Sequence, residues 1–244
     1  MPFIEALNFF FRVKRKIKPR TVKAQIVLLN KVIRLALHRR IITRPPFDGF
    51  EMEKTELKNK SLTNDELDLL MKTPLKSGTQ RFIRDMFLFS TFTGLAYADV
   101  HKLSWKDIIT EDDGSLWFSA NRQKSHTEFN VKLLNIPIRI MEYYKGLAPD
   151  GKIFPHMSLG QVNVGLKRIA RNCGINRKLS YHMARHSYAT LCLSMGVPIE
   201  TISQTLGHRS ISTTQIYAEI TRTKINEDMT NLADRIEGKY KLFE

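Results

Sequence analysis

The chain has 244 residues, with 39 lysines and arginines against 24 aspartates and glutamates, and a formal net charge of +15. Hydrophobic residues make up 42% of it, which is enough for a folded core and excludes a disordered chain. No uncharged apolar run approaches the roughly 18 residues of a membrane span. Two cysteines, Cys173 and Cys192, exclude a disulfide framework and fit a reducing cytosolic compartment, and no cysteine or histidine pair has metal-ligand spacing. The charge favours a polyanionic partner, nucleic acid ahead of a membrane surface.

The positive charge is concentrated at the front of the chain. Residues 1–60 carry 15 basic and 5 acidic side chains, a net +10, while the other 184 residues carry only +5. Residues 6–47 contain no acidic side chain. Apolar residues at helical spacing predict an amphipathic helix over residues 20–38 with a cationic polar face. The apolar positions are Val22, Ile26, Leu29, Val32, Ile33 and Ala36.

A helix face with cations and no counter-charges indicates a surface that binds phosphates. We expect this surface to contact the backbone of a nucleic acid. Its residues are Arg20, Lys23, Lys31, Arg34, Arg39 and Arg40. A solvated cationic face and a helix lying on an anionic membrane are alternatives that this feature alone does not exclude.

Further elements are predicted in chain order. Pro45 and Pro46 are expected to end the basic helix, and the polar residues 48–60 are expected to form a linker. Thr63 followed by Glu66 has the pattern of a capping box at a helix start.

A strongly apolar helix follows, and Gly94 is expected to end it. Residues 108–138, with Asp113 and Gly114 between β-prone runs, predict an antiparallel sheet of about three strands. Helices are then predicted over residues 139–147, 158–173, 183–195, 198–206 and 211–222, with Gly174, Gly196 and Gly207 as stops. The fold class is therefore mainly α (α+β).

Reactive side chains recur in the last third of the chain. His182 and Arg185 are one helical turn apart, His208 follows a helix-ending glycine, and Tyr217 comes nine residues later. Arginine binds phosphate oxygens with two parallel hydrogen bonds, and histidine donates to an oxygen or moves a proton. A tyrosine hydroxyl attacks phosphorus once nearby cations favour its phenolate. Together these residues suggest phosphoryl transfer without a metal, although each one singly also fits packing or helix capping.

Order and spacing carry a more specific signal than single residues. The pattern H-x-x-R-H-x-x-A-T, followed by L-G-H-x-S-I-x-T-T-x-x-Y, resembles the tyrosine recombinases, also called the phage integrase family. The matching residues are His182, Arg185, His186, Ala189, Thr190, Leu206, Gly207, His208, Ser210, Ile211, Thr213, Thr214 and Tyr217. The segment TFTGLAYADVHKLSWKDI is similar to the family's first box.

The resemblance also divides the chain. Residues 61–222 resemble the catalytic domain, and residues 1–47 resemble part of a helical core-DNA-binding domain. Residues 1–47 are too few for the four helices that this domain usually has in the family. The sequence could be a fragment, could begin at a late start codon, or could be a short member of the family. Residues 223–244 are expected to form a helical tail that docks on a neighbouring protomer or on its own domain.

The resemblance implies a site-specific DNA recombinase of a mobile element that acts on double-stranded DNA, assembles as a dimer or tetramer on it and needs no cofactor. Tyr217 would attack the scissile phosphate to form a 3′-phosphotyrosine, and Lys124 would protonate the leaving 5′-oxygen. Arg185, His182 and His208 would stabilise the charge of the transition state.

One position departs from the family's pattern. Ala96 stands where the first box has an arginine, and Asp99 is the acidic residue three positions later. Losing one arginine clamp costs on the order of a thousandfold in rate. Arg122 is two residues before Lys124 on a predicted strand, so both side chains would point to the same face of the sheet. Arg122 could then replace the arginine, or it could be a solvated charge on the hairpin. The rival functions are a catalytically impaired DNA-binding relative and an activity like that of type IB topoisomerases.

Overall fold

The computed structural model describes residues 3–47, 49–50, 61–121, 128–217 and 222–237. This part of the chain is mainly helical with one three-stranded antiparallel sheet, so the expected fold class is confirmed. The chain divides into two compact units, Met1–Asn59 and Lys60–Glu244. Across the described ranges, no helix combines the length and the apolar character needed to cross a membrane.

The first unit consists of α1 (Phe3–Phe9), a π-helical turn (Phe10–Lys14) and α2 (Pro19–His38). Its buried core is Ile4, Val22 and Ile26. The predicted amphipathic helix is therefore confirmed, but only the first half of its apolar face is buried, and Val32 is 63% exposed.

The end of α2 differs from the prediction. The helix stops at His38, well before Pro45 and Pro46. Arg39 caps it, and Arg40 turns the chain with a φ of 57° in the left-handed region. The backbone turn at Arg40 therefore ends the helix, and the prolines do not.

The second unit carries the remaining elements. They are α3 (Asn64–Lys72), α4 (Gly78–Thr93), α5 (Tyr97–Val100), β1 (Ile108–Thr110), β2 (Leu116–Asn121), β3 (Glu128–Lys132), α6 (Asn135–Tyr143), α7 (Leu159–Asn172), α8 (His182–Ser194), α9 (Ile199–Thr205), α10 (Ser212–Gln215) and α11 (Arg222–Glu237). The capping box at Thr63 and the left-handed Gly94 at the end of α4 are confirmed.

The sheet has the order β1-β2-β3, and both pairs are antiparallel. Phe118 pairs with Ile108 on one side and with Val131 on the other. Phe118 and Val131 are buried in the core of the second unit, which fixes the register because a slip by one residue would expose them.

The central helix of the second unit is α4, which packs against α6, α7 and α8. Buried aromatic side chains along it, including Phe87 and Phe89, form the main core. A smaller cluster of Ala189, Ile202 and Leu206 joins α8 to the end of α9. Burying these side chains stabilises the arrangement of the helices by about 1.5–3 kcal/mol for each large residue.

Two predicted helices have different bounds in the structure. The helix expected at 139–147 spans Asn135–Tyr143, because Pro137 lies in its first turn, where no amide hydrogen is required. The helix expected at 211–222 ends at Gln215, and the next one starts at Arg222. The Tyr217 amide bonds the carbonyl of Thr214 three residues earlier, which closes a tight turn after α10.

Candidate active site

Arg185 is a buried cation held between two distant segments. It lies on α8 and is 5% exposed. Its Nη1 donates to the Gly94 carbonyl at 2.8 Å, and its Nη2 donates to the Leu206 carbonyl at 2.5 Å. Hydrogen bonds from a charged donor are short and strong, and two of them fix the plane of the guanidinium. The ends of α4 and α9 therefore set the direction of the Arg185 side chain.

The turn at Gly94 requires glycine for two reasons. Its φ is 70°, a left-handed conformation that other residues adopt at a cost. A Cβ at this position would lie 2.6 Å from the Tyr188 ring and 2.9 Å from a methyl group of Leu206. Tyr188 thus packs against the segments that carry both acceptors of Arg185, a contact that sequence reasoning missed.

The start of α8 is anchored by Tyr181. Its buried hydroxyl accepts a hydrogen bond from Ser90 Oγ at 2.6 Å and donates to the Met86 carbonyl at 2.9 Å. The Tyr181 amide donates to Asn163 Oδ1 at 2.8 Å. The next residue, His182, is exposed at the first position of α8. An exposed histidine on an anchored helix start is accessible to a bound phosphate.

His208 is held by a buried threonine. Its main-chain amide bonds the Ser203 carbonyl at 3.0 Å, and its Nδ1 lies 2.8 Å from Thr214 Oγ1. Thr214 is fully buried, so it fixes the plane of the half-buried imidazole. In the tautomer in which the Thr214 hydroxyl donates to Nδ1, Nε2 carries the hydrogen and can donate to a phosphate oxygen.

Tyr217 is half-buried next to these residues. Its ring packs against the cluster of Ala189, Ile202 and Leu206. Burial raises the pKa of the Tyr217 hydroxyl, while the positive charge of Arg185 lowers it. The phenol is therefore neutral near pH 7, and Arg185 is the cation that favours its ionised form.

The segment that resembles the family's first box contains Ala96 and Asp99. Ala96 precedes α5, and its amide donates to Asp99 Oδ2 at 3.3 Å. Asp99 therefore caps a four-residue helix from three positions downstream. Arg122 and Lys124, expected on one strand of the β-hairpin, lie outside the described residues.

The six cations predicted on the first unit are all exposed. Helical geometry puts Arg20, Lys23, Lys31 and Arg34 on one side of α2, opposite the buried Val22. Arg39 and Arg40 follow at its end. Their exposure leaves all six side chains accessible to a polyanion.

The structure brings together four of the sequence-predicted residues: His182, Arg185, His208 and Tyr217. Across the ranges that the structure describes, no group of three or more histidine, cysteine or acidic side chains could hold a metal ion. Both cysteines are free thiols.

Residues 60–224, more than half of the chain, match the Phage integrase family. The chain belongs to this family, the tyrosine recombinases. The match covers His182, Arg185, His208 and Tyr217, so the residues that meet in the structure lie within the family domain.

Curated relatives have the same family assignment. The tyrosine recombinase XerC of Neisseria meningitidis serogroup C / serotype 2a is 29% identical over 189 residues, covering 73% of this chain and 61% of that protein. XerC of Listeria monocytogenes serovar 1/2a is 24% identical over 235 residues, covering 90% of this chain and 78% of that protein. The chain therefore spans less than two thirds of the length of the Neisseria relative.

Solved structures share the fold. The Tn1549 transposon integrase in complex with transposon right end DNA is 18% identical, with a TM-score of 0.70 over 93% of this chain and 84% of that one. A lambda integrase dimer bound to a COC′ core site is 18% identical, with a TM-score of 0.66 over 90% and 82%. XerH bound to its difH substrate is 21% identical, with a TM-score of 0.65 over 92% and 68%.

Proposed function

We propose that this chain is a site-specific DNA recombinase of a mobile element that cuts and rejoins double-stranded DNA through a 3′-phosphotyrosine. The observation that carries the proposal is that Tyr217 packs against the cluster containing Leu206, whose carbonyl accepts a hydrogen bond from Arg185. Arg185 is close enough to favour the ionised form of the Tyr217 hydroxyl, and it is fixed by two carbonyl groups. A nucleophile and a rigid cation are the two groups that phosphoryl transfer without a metal needs.

The chemistry follows from these positions. The Tyr217 hydroxyl releases its proton to solvent water, its oxygen forms a bond to phosphorus, and the bond from phosphorus to the 5′-oxygen breaks. Arg185, His182 and His208 donate hydrogen bonds to the phosphate oxygens as negative charge accumulates on them. Lys124 supplies the proton to the leaving 5′-oxygen. The new bond between Tyr217 and phosphorus keeps the energy of the broken phosphodiester bond, so attack by a partner 5′-hydroxyl reverses the reaction and completes strand exchange without a cofactor.

Arg122 takes the place of the missing arginine in this proposal. Ala96 has no group that contacts phosphate, so a second cation must come from another segment. The test is Arg122→Ala, with Gln123→Ala as the neighbouring control. We expect Arg122→Ala to lose DNA cleavage far more than DNA binding, and an unchanged cleavage rate removes Arg122 from the site.

The first unit binds the DNA backbone through the exposed cations of α2. Strand exchange requires paired subunits, and we propose a cytoplasmic assembly of two or four copies on DNA. Exposed apolar side chains on α11, Met229, Leu232 and Ile236, support docking of this helix on a neighbouring protomer.

Covalent capture of DNA tests the function. The probe is a pool of nicked duplex oligonucleotides of randomised sequence, in which cleavage near the nick releases a short strand and traps the protein–DNA link. We expect the wild-type chain to form a detergent-resistant adduct and Tyr217→Phe to form none while still binding the duplex.

The rival functions give different results. Persistent capture by Tyr217→Phe contradicts the proposal. DNA binding by the wild-type chain without any adduct identifies an impaired relative. Relaxation of a supercoiled plasmid without recombinant product indicates a topoisomerase-like activity.

A further inference from the structure

The His186 ring contacts two other aromatic rings, those of His182 and Tyr217. The His186 ring centroid is 4.6 Å from that of His182, with the ring planes at 85°. The His186 ring centroid is also 5.3 Å from that of Tyr217, with the planes at 63°. Both geometries are edge-to-face contacts, which aromatic rings favour. His186 is 8% exposed and thus sits between the exposed His182 and the half-buried Tyr217.

We propose that His186 is a positioning residue that holds the Tyr217 ring in place for attack on the phosphate. This inference rests on the proposed role of Tyr217 as the nucleophile. His186 is the second histidine of the pattern H-x-x-R-H-x-x-A-T on α8. This pattern does not predict a contact between His186 and Tyr217, which is 31 residues further along the chain. The two rings meet only in the folded structure.

The main chain around Tyr217 leaves the ring dependent on its side-chain contacts. Tyr217 follows α10, a helix of only four residues, and its amide makes a single turn-type bond to Thr214. Helices this short have little stability of their own. The position of the Tyr217 ring therefore depends on its contacts with the apolar cluster at Leu206 and with the His186 ring.

His186 itself has a fixed position. It follows Arg185 directly on α8, whose start is anchored through Tyr181 and whose Arg185 is bonded to two carbonyl groups. Because His186 and Arg185 are on the same helix, contact with the His186 ring fixes where the Tyr217 hydroxyl lies relative to the Arg185 guanidinium. Since displacement of a reacting group by about 1 Å costs about a hundredfold in rate, the loss of this contact has a measurable effect.

The kinetic test separates DNA binding from the cleavage step. We compare His186→Ala and His186→Phe with Ser194→Ala, an exposed control near the end of the same helix. The readouts are the single-turnover rate of adduct formation at saturating nicked duplex and the duplex concentration that gives half this rate. We expect His186→Ala to lose about 10- to 100-fold in rate with an unchanged half-saturating concentration.

The conservative variant distinguishes ring packing from proton transfer. Phenylalanine keeps the edge-to-face contact and cannot accept a proton, so we expect His186→Phe to recover most of the rate. A His186→Phe variant as slow as His186→Ala, or a His186→Ala variant as fast as the wild type, overturns the inference. If His186→Ala does not fold, His186→Leu takes its place, because leucine fills the volume without providing an aromatic ring.

A spectroscopic test needs no DNA and therefore does not depend on the proposed function. The chain is labelled with 3-fluorotyrosine, and the ¹⁹F resonance that disappears in Tyr217→Phe is assigned to Tyr217. In the wild type and in His186→Phe we expect this resonance away from the free amino acid position, and in His186→Ala we expect it to shift towards that position and narrow. An unchanged resonance in His186→Ala overturns the inference even if adducts form, whereas the absence of wild-type adducts refutes only the proposed function.

Discussion

The Arg185 guanidinium donates a hydrogen bond to the Gly94 carbonyl across 2.8 Å, although the two residues are 91 positions apart in the chain. Gly94 ends α4 two residues before Ala96. The turn at Gly94 therefore holds the Arg185 guanidinium in place.

The first prediction concerns Gly94→Ala. The new Cβ would lie 2.6 Å from the Tyr188 ring, and the alanine backbone would have to adopt a φ of 70°. Gly174→Ala is the matched control, because Gly174 also follows a helix with a φ of 72° but has nothing within 4 Å. The left-handed conformation alone costs about 1–2 kcal/mol, and overpacking adds about 1–3 kcal/mol.

We therefore expect Gly94→Ala to lower the free energy of unfolding by about 2–5 kcal/mol and Gly174→Ala by about 1–2 kcal/mol. Denaturant unfolding measures both values. Equal losses in the two variants contradict the close approach of Tyr188.

The second prediction concerns the threonine that holds His208. Thr214→Val keeps the shape of the buried side chain and removes the hydroxyl 2.8 Å from Nδ1. We expect adduct formation to slow about fivefold, since a buried hydrogen bond contributes about 1 kcal/mol. Thr214→Ser restores the hydroxyl and should restore most of the rate. Thr213→Val, at the exposed neighbouring position, is the control, and a similar slowing there contradicts the assignment.

The third prediction concerns the cations of α2. Removing one phosphate contact lowers the slope of log affinity against log salt concentration by about 1. We expect Arg34→Gln to show this change in a DNA-binding titration between low and moderate salt. Lys72→Gln is the control, because Lys72 lies on α3 and not on α2, and forms an ion pair with Asp68 of the same helix. A wild-type slope in Arg34→Gln removes this residue from the DNA-binding surface.

The fourth prediction concerns a histidine pair outside the site. A ring nitrogen of His101 lies against one of His156. Burial lowers the pKa of His101, and the charges of His156, Lys152 and Lys102 lower it further. The unfolded chain therefore binds a proton at His101 more readily than the folded chain, and stability falls as the pH drops through about 6.5.

Melting temperatures at pH 8 and pH 5 measure this loss. We expect His101→Asn to lose less stability on acidification than the wild type. His156→Asn should show a smaller improvement, because burial remains as the main cause of the lowered pKa. A His101→Asn variant with the wild-type loss refutes the linkage.

Local patterns in the sequence were enough to predict several elements. The capping box at Thr63, the αL stop at Gly94 and the helix that carries Arg185 each depend on residues a few positions apart, and all three are confirmed. The sheet was predicted for the same reason, since its turn residues and β-prone strands are adjacent.

Contacts between distant segments leave no periodic signal. The sequence does not reveal that Arg185 bonds the carbonyls of Gly94 and Leu206, or that the His186 ring meets the Tyr217 ring. The end of α10 was also mispredicted, because the turn at Tyr217 depends on one main-chain bond and not on the apolar spacing. The roles of Lys124 and Arg122 stay predictions.

The most direct test of the account is to identify the residue that carries the DNA. Adducts captured from the nicked-duplex pool are digested with nuclease and protease, and the modified peptide is sequenced by mass spectrometry. We predict a phosphodiester link between the Tyr217 hydroxyl and a DNA 3′ end. A link at any other residue, or stable DNA binding with no link, contradicts the central claim.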